Sequence, residues 1–441
     1  MSISDHYLWY SDYKYMCTFS TRKVDLSMLT VLTFILIFGT IVTIHELGHF
    51  IAAKKSGVLV REFAIGMGPK IFSTHDKQGT LYSVRILPVG GYVRMAAPNE
   101  DQFELKPGTT VAIRLNNNNE VDFINKNKKE VDHTLPIIIS SIDIQDDLYI
   151  KGYINGDESI EMNYPVSKTA MIATNDAPPM RIAIRELQLP SVAIWKQMWI
   201  NFAGPFFNFI LTIVVFAGIL FSQGGMPTDS NTIGEVSANS AAQRAGLESG
   251  DTITAIGSNE INSWSDISPA LNKQNGQFTV TYTRNDDTYT TNVKITDADN
   301  GKLGIIASYD HSIFGTITGA FQIFLTSAKS IVTSIIGLFT NFNINNLGGP
   351  VAVYELSEQA SSHGAASIFS LLAVLSLNIG LMNLIPIPAF DGGKLLLNIL
   401  HAIRRKPLQQ KTEMLLTAVS ALALLALMLV VTWNDAIRSF F

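Results

Sequence analysis

The 441-residue sequence predicts a multi-pass α-helical membrane protein with four transmembrane helices, a membrane-associated β-hairpin or small sheet and two strand-rich modules on opposite sides of the bilayer. Three observations lead there. Hydrophobic residues make up 47% of the chain and charged ones 16%, a balance that places part of it in lipid. Stretches free of Asp, Glu, Lys and Arg at 26–44, 197–228, 359–390 and 414–434 reach the length that crosses a hydrocarbon core, roughly 20 residues. Between them lie polar segments of short β-prone runs punctuated by Gly, Pro, Asn and Asp. The net charge of −5 is spread along the chain and offers no face for nucleic acid. The lone Cys17 excludes a disulfide framework and a cysteine-ligated metal.

Taken in order, residues 1–27 carry Lys14, Arg22 and Lys23 among scattered aromatics without a periodic pattern. A signal peptide needs a cleavage site after its apolar run, and His45-Glu46 and Lys54-Lys55 stand there instead. The expected start of translation is therefore Met28, with a short N-terminal tail as the alternative.

Residues 28–53 form the first expected span, and it ends in His45-Glu46-Leu47-Gly48-His49. Histidines at i and i+4 stack on one helix face, so both rings can grip one cation. Glu46 beside them is placed to take a proton from an attacking water. An ionisable cluster against a bilayer-length apolar helix is expensive, which marks it as functional. The expectation is a zinc site inside a membrane.

Lys54, Lys55 and Arg61 follow this span, and Arg404, Arg405, Lys406 and Lys411 separate the last two, as cytoplasmic loops do. Both termini then lie outside, and residues 54–195 and 392–412 inside. Residues 54–98, with Gly66-Met67-Gly68-Pro69 and Gly90-Gly91, read as a β-hairpin close to the histidines. Its edge can pair with an unwound substrate strand, or it can be a plain connecting sheet. Residues 99–190 read as a small cytoplasmic β-domain, with runs at 109–115, 121–124, 135–144 and 148–154 and no evident chemistry.

The second expected span is 197–224. Residues 231–308 follow as an outer module. Ala245-Gly246-Leu247, Gly250-Asp251-Thr252-Ile253, a helical stretch at 265–271 and strands at 279–284 and 290–295 resemble a PDZ domain. Such a module either binds extended peptides by strand addition or blocks access by its bulk. Residues 313–342, interrupted by Lys329 and rich in Ser and Thr, read as an amphipathic surface helix. Residues 365–391 are the third expected span and 412–434 the fourth.

A catalytic zinc takes three protein ligands and keeps a position open. His6, His75, His133, His311, His363 and His401 lie outside the spans. Asp391 is the only acid between Glu358 and Glu413, and it closes Asn383-Leu384-Ile385-Pro386-Ile387-Pro388-Ala389-Phe390-Asp391-Gly392-Gly393. Pro386 and Pro388 cannot sustain a helix, so the backbone unwinds and delivers Asp391 at the depth of His45 and His49. A capping turn before the next helix is the alternative.

Together, H-E-x-x-H, N-x-x-P-x-P-x-x-D-G-G and one PDZ-like module between them resemble the bacterial site-2 metalloproteases, from about Met28 to the end of the chain. By that resemblance His45, His49 and Asp391 match zinc ligands and Glu46 the catalytic glutamate. Asn378 and Asn383 match asparagines that hold the substrate strand. Residues 66–93 match a membrane-associated β-loop, with Gly90 and Gly91 as substrate contacts, and Gly204-Pro205 with Asn208 matches a Gly-x-x-x-Asn feature. Phe390, where leucine is usual, and Lys394 depart from the pattern. The implied function is Zn2+-dependent regulated intramembrane proteolysis in the cell membrane. Its substrates would be transmembrane proteins or peptides such as anti-sigma factors, signal-peptide remnants or pheromone precursors. Rival readings are a non-catalytic membrane scaffold presenting partners through the PDZ-like module, and a metal transporter. A transporter needs several intramembrane acids, and only Glu46 and Asp391 are found as such.

Overall fold

The computed structural model describes residues 28–441 apart from 77, 99–104, 127–132, 155–159, 174–178, 275, 297–298, 300–301, 341–342, 407 and 441. The expected tail, 1–27, lies outside the described residues. The described chain divides into two compact units, 26–211 with 374–432, and 212–373 with 433–441.

The first unit begins with α1 (Met28–Ser56). An apolar helix satisfies its own backbone groups, the condition for crossing lipid. It stops where Gly57 turns left-handed at φ +86°, and Val58 N–H donates back to the Ala53 carbonyl at 3.0 Å. The chain runs directly into β1 (Val60–His75) and β2 (Leu81–Met95), an antiparallel pair whose register sets Ile65 against Gly91 and His75 against Leu81. Phe50 of α1 packs on Phe63 and Tyr82, with ring centroids 5.1 and 5.7 Å away. Lys54 Nζ reaches Asp76 Oδ2 at 2.6 Å, so the far turn of the hairpin is tied back to the end of the helix. Within the hairpin the Arg85 guanidinium bonds Glu62 (2.8 Å), the Tyr92 hydroxyl (2.6 Å) and the Gly68 carbonyl (2.6 Å). Burial pushes the Glu62 carboxyl up, but hydrogen bonds from Ser83 and Arg85 outweigh it and hold the group below the usual carboxylate range.

Beyond the hairpin stand β3 (Thr110–Leu115), β4 (Val121–Asn125), β5 (Leu135–Asp143), β6 (Tyr149–Ile154), β7 (Glu161–Ala173) and the short β8 (Met180–Arg181). Their order is β4-β3-β5-β6-β7-β8, and β7 also pairs in parallel with β4, setting Ile172 beside Ile124. The sheet therefore closes into a small barrel without a free edge between β4 and β7. Alternate residues point inward and fill it with Val111, Ile113, Ile124, Ile137, Ile139, Ile150 and Ile172. The barrel is held to the hairpin: buried Arg61 donates to the Arg181 carbonyl, and Leu59 N–H bonds Leu187 O at 2.8 Å.

Helix α2 (Ile194–Ser222) runs from the first unit into the second. The second unit holds β9 (Met226–Pro227), β10 (Ile233–Val236), α3 (Ala241–Arg244), β11 (Thr252–Ile256), β12 (Asn259–Glu260), α4 (Trp264–Leu271), β13 (Gln277–Arg284), β14 (Asp287–Lys294), β15 (Ile305–Ala307) and β16 (Tyr309–Asp310). A four-stranded sheet β12-β11-β13-β14 and the pair β10-β15 enclose Ile253, Ile256, Ile267, Val280 and Val293. Ser263 caps α4, exchanging bonds with Asp266 in a capping box. Arg284 grips Asp251 through two nitrogens at 2.7 and 2.8 Å.

Helices α5 (Ile313–Thr340), α6 (Pro350–His363), α7 (Ala365–Asn383), α8 (Asp391–Arg404) and α9 (Gln410–Phe440) complete the chain. Among the described residues five helices are long and apolar enough to cross a membrane, at 28–56, 194–222, 313–338, 365–383 and 411–438. Four coincide with expected spans. The fifth is α5, expected on the surface, whose hydroxyls are bonded to its own carbonyls, Thr326 to Gln322 O and Thr333 to Lys329 O. Hidden in this way, Ser and Thr add less polarity than the sequence suggests. Within 365–391 the helix stops at Asn383, the chain unwinds through Pro386 and Pro388 as their rings require, and Asp391 opens the next helix.

Candidate active site

Helix α1 is apolar around its whole circumference, yet one stripe is buried: Ile37, Ile41, His45, His49, Ala52 and Ala53. The i, i+4 spacing carries both histidines into the protein on that stripe. Helix α2 meets it at Gly48, where an added Cβ would run into the Ala203 carbonyl. One residue on, a Cβ at Gly204 would strike His49 Nε2. Glycine at both positions lets the backbones close and leaves the space the imidazoles fill.

The outer nitrogens of the rings are held by the same face of α2. His49 Nδ1–H donates to the Ile200 carbonyl at 2.7 Å, which leaves Nε2 as a bare acceptor facing inward. Pro205 stands in the next turn of α2, without an N–H to donate. His45 Nδ1 lies 3.2 Å from the Asn208 side-chain amide. The amide nitrogen faces the ring as placed; a half-turn of the amide brings its oxygen there to accept Nδ1–H, the tautomer that leaves His45 Nε2 facing inward. Ser376 Oγ donates to the Asn208 carbonyl at 3.0 Å and fixes α7 beside this turn.

Asp391 opens α8, and the two glycines after it explain how it gets there. A Cβ at Gly392 would collide with the Leu384 carbonyl, and one at Gly393 with the Ile387 carbonyl. Only glycine lets the 384–390 loop fold flat against the first turn of α8. Asp391 Oδ2 then lies 3.1 Å from His45 Nε2 and 3.1 Å from His49 Nε2, while the two nitrogens are 3.3 Å apart. All three side chains are buried. Ligands at ~2.1 Å around a tetrahedral ion are spaced by about 3.4 Å, so this triangle of two imidazole nitrogens and one carboxylate oxygen fits a single divalent cation. It is the one group of three or more His, Cys, Asp or Glu among the described residues able to hold a metal.

Glu46, half-buried, sits on the flank of α1 that faces β2. A Cβ at Gly91 would lie 3.3 Å from Glu46 Cγ and 2.8 Å from the Ala64 carbonyl, and Gly90 takes φ +93°. The Gly-Gly pair is thus the point where the hairpin passes over the glutamate. Asn378 is exposed on α7, and Asn383 donates to the Ile379 carbonyl of its own helix at 3.0 Å. Neither is hydrogen-bonded to the three converging side chains. Sequence reasoning named Gly204 and Asn208 only as a motif and did not name Ile200. Their spacing of four along α2 places all three on one face, which was a usable signal.

The model of peptidase family M50 matches residues 33–427. A protein of Streptococcus pyogenes serotype M3 that bears a zinc metalloprotease name is 44% identical over 422 residues, covering 94% of this chain and all of that protein. "Probable protease eep" of Enterococcus faecalis is 40% identical over 431 residues, with 94% and 100% covered. A Lactococcus lactis protein with a zinc metalloprotease name is 39% identical over 426 residues, with 93% and 99% covered. The match extends over both helices that converge on the buried triad, and the chain belongs to peptidase family M50, the site-2 metalloproteases.

Proposed function

We propose that this chain is a zinc-dependent intramembrane endopeptidase that cuts membrane segments of proteins already trimmed outside the bilayer, or remnants of signal peptides. The observation that carries the reading is the convergence of His45, His49 and Asp391, buried beside Glu46 at the end of a helix apolar enough to span. The metalloprotease names of the relatives agree with it. Zinc held by these three donors would supply Lewis acidity and lower the pKa of a water.

The rest falls to the chain's own groups. Glu46 takes the proton of the attacking water and passes it to the leaving amine nitrogen. The Ile200 carbonyl keeps the His49 lone pair aimed inward. A helical substrate hides its carbonyls in hydrogen bonds and must be unwound before attack. In this reading the β2 edge at Gly90-Gly91, with Asn378 and Asn383, takes up the freed backbone groups. The positive charges flanking α1 and α8 support a site towards the cytoplasm, with residues 99–190 inside and 231–308 outside. Residues 231–308 then act as a PDZ-type filter, excluding substrates that still carry an outer domain.

Replacing Glu46 by Gln tests the assignment. The variant is expected to retain zinc by mass spectrometry and to lose cleavage, with membrane-retained peptides accumulating in its proteome. Cleavage at the wild-type rate would remove the proposed role of Glu46. Cysteines placed in 105–126 and in 231–274 are expected to label from opposite sides of the membrane, and labelling from one side would overturn the orientation.

A further inference from the structure

Lys394 follows the Gly392-Gly393 pair directly and lies next to the buried triad. It occupies the first turn of α8, where the helix dipole disfavours a cation. Its aliphatic stem buries little, since the side chain is 52% exposed. What it does touch is Asp391: Lys394 Nζ lies 3.4 Å from Oδ1, one helical turn away. The two oxygens of Asp391 are thereby divided. Oδ2 faces both histidine nitrogens at 3.1 Å, and Oδ1 faces the ammonium.

We propose that Lys394 is a positioning residue that holds Asp391 as a one-oxygen metal ligand and keeps the fourth coordination position open. A free carboxylate can swing so that both oxygens reach one cation, which would occupy the site that water or a peptide carbonyl needs. The ammonium prevents this by holding Oδ1 on the far side. Each ligand then has an outer partner: Ile200 for His49, Asn208 for His45 and Lys394 for Asp391. Two of these partners are neutral groups on α2. Only the third is charged, and only it comes from the helix of its own ligand. Loss of such outer partners typically lowers metal affinity about 10- to 100-fold, whereas a half-exposed ion pair contributes little to folding. The proposal rests on the metal-site reading, and the experiment separates the two.

Wild type, Lys394→Met and Lys394→Arg would be purified whole in detergent, stripped and titrated with Zn2+ against a chelator, and separately loaded with Co2+ alone. The expected result for Lys394→Met is at least tenfold weaker zinc binding at an unchanged apo-protein melting temperature. Its Co2+ bands should shift, because a second carboxylate oxygen in the place of water changes the ligand field. Lys394→Arg should restore affinity to within about threefold and restore the bands. Zinc affinity of Lys394→Met within twofold of wild type, with an unaltered Co2+ spectrum, overturns the proposal. If Lys394→Met does not fold, Lys394→Gln replaces it, and the Arg-against-Gln comparison of Co2+ spectra decides. Failure of the wild type itself to bind stoichiometric zinc would sink the metal-site reading instead.

Discussion

The barrel at residues 105–184 and the corner that joins α1, α2 and α8 are both well packed, but they are packed by opposite means. The barrel is filled with branched aliphatics drawn from strands close in sequence, each contributing methyl groups to a common interior. The corner is shaped by missing atoms: Gly48, Gly204, Gly392 and Gly393 let backbone and imidazole approach where one methyl would collide. In the barrel, surplus hydrophobic area stabilises the fold and no single group is decisive. In the corner, small displacements decide whether three donor atoms share one cation. On the proposed site, stability and function fall to different residues, and substitutions should separate them.

The largest expected effect is on the corner. His45→Ala or His49→Ala leaves two protein donors, so zinc retention by mass spectrometry and peptide cleavage should both fall to background. Chelator treatment of wild type should do the same, with added zinc restoring cleavage. Next comes Gly204→Ala. Its Cβ displaces the His49 ring, and misplacement on the order of 1 Å costs about 100-fold in rate, so cleavage should drop by that order while the melting temperature moves little. A drop in melting temperature with unchanged cleavage would break the contrast. The barrel supplies the converse. Ile150→Ala should destabilise the barrel by about 2–5 kcal/mol, the usual cost of emptying a buried aliphatic site. Cleavage per folded molecule should stay at the wild-type value. A loss beyond the folded fraction would show that the barrel steers the site through Arg61 and Leu59.

The smallest effect concerns the second unit and pH. Hydrogen bonds from Arg244 and Thr296 hold the Asp299 carboxyl well below the usual carboxylate range. A depressed folded-state pKa gives stability that is present above the unfolded value of about 3.9 and is lost as pH falls through the folded one. Asp299→Asn removes that slope. Hydrogen exchange of the amides at 241–256, measured in the full chain, should then depend less on pH below about 4 than in wild type.

How much of this the sequence discloses depends on the solvent each part faces. The positions of α1, α2, α7 and α9 follow from uncharged runs, because lipid demands them. Which face of a span packs does not follow. Leu29, Leu32 and Leu36 are exposed while Ile37 and Ile41 are buried, and in lipid both kinds are equally apolar. Only the histidines betray the buried stripe of α1. Helix α5 reaches the length and apolarity of a span although its Ser and Thr look polar, since the Thr326 and Thr333 hydroxyls turn onto the helix backbone. In water, alternation placed β3 to β6 closely. It could not place β7 (Glu161–Ala173), which closes the barrel by pairing in parallel with a distant β4. The triad was legible because metal chemistry demands particular residue types. Its supports are less legible: Gly204 and Asn208 stand out only as a motif and Ile200 not at all, since a carbonyl, an absent side chain and an amide carry no chemical signature of their own.

One feature of the triad bears on biosynthesis. His45 and Asp391, 3.1 Å apart in the folded chain, are separated by 346 positions in the sequence. At ribosomal rates of about 5–20 residues per second, roughly 20–70 s pass between the appearance of the first donor and the last. Throughout that interval the histidines and Glu46 exist without the third donor that the proposed zinc site requires. Nascent chains stalled or truncated before α8 are therefore unarmed. On the proposed assignment the centre is completed only after α1, α2 and α7 have been made.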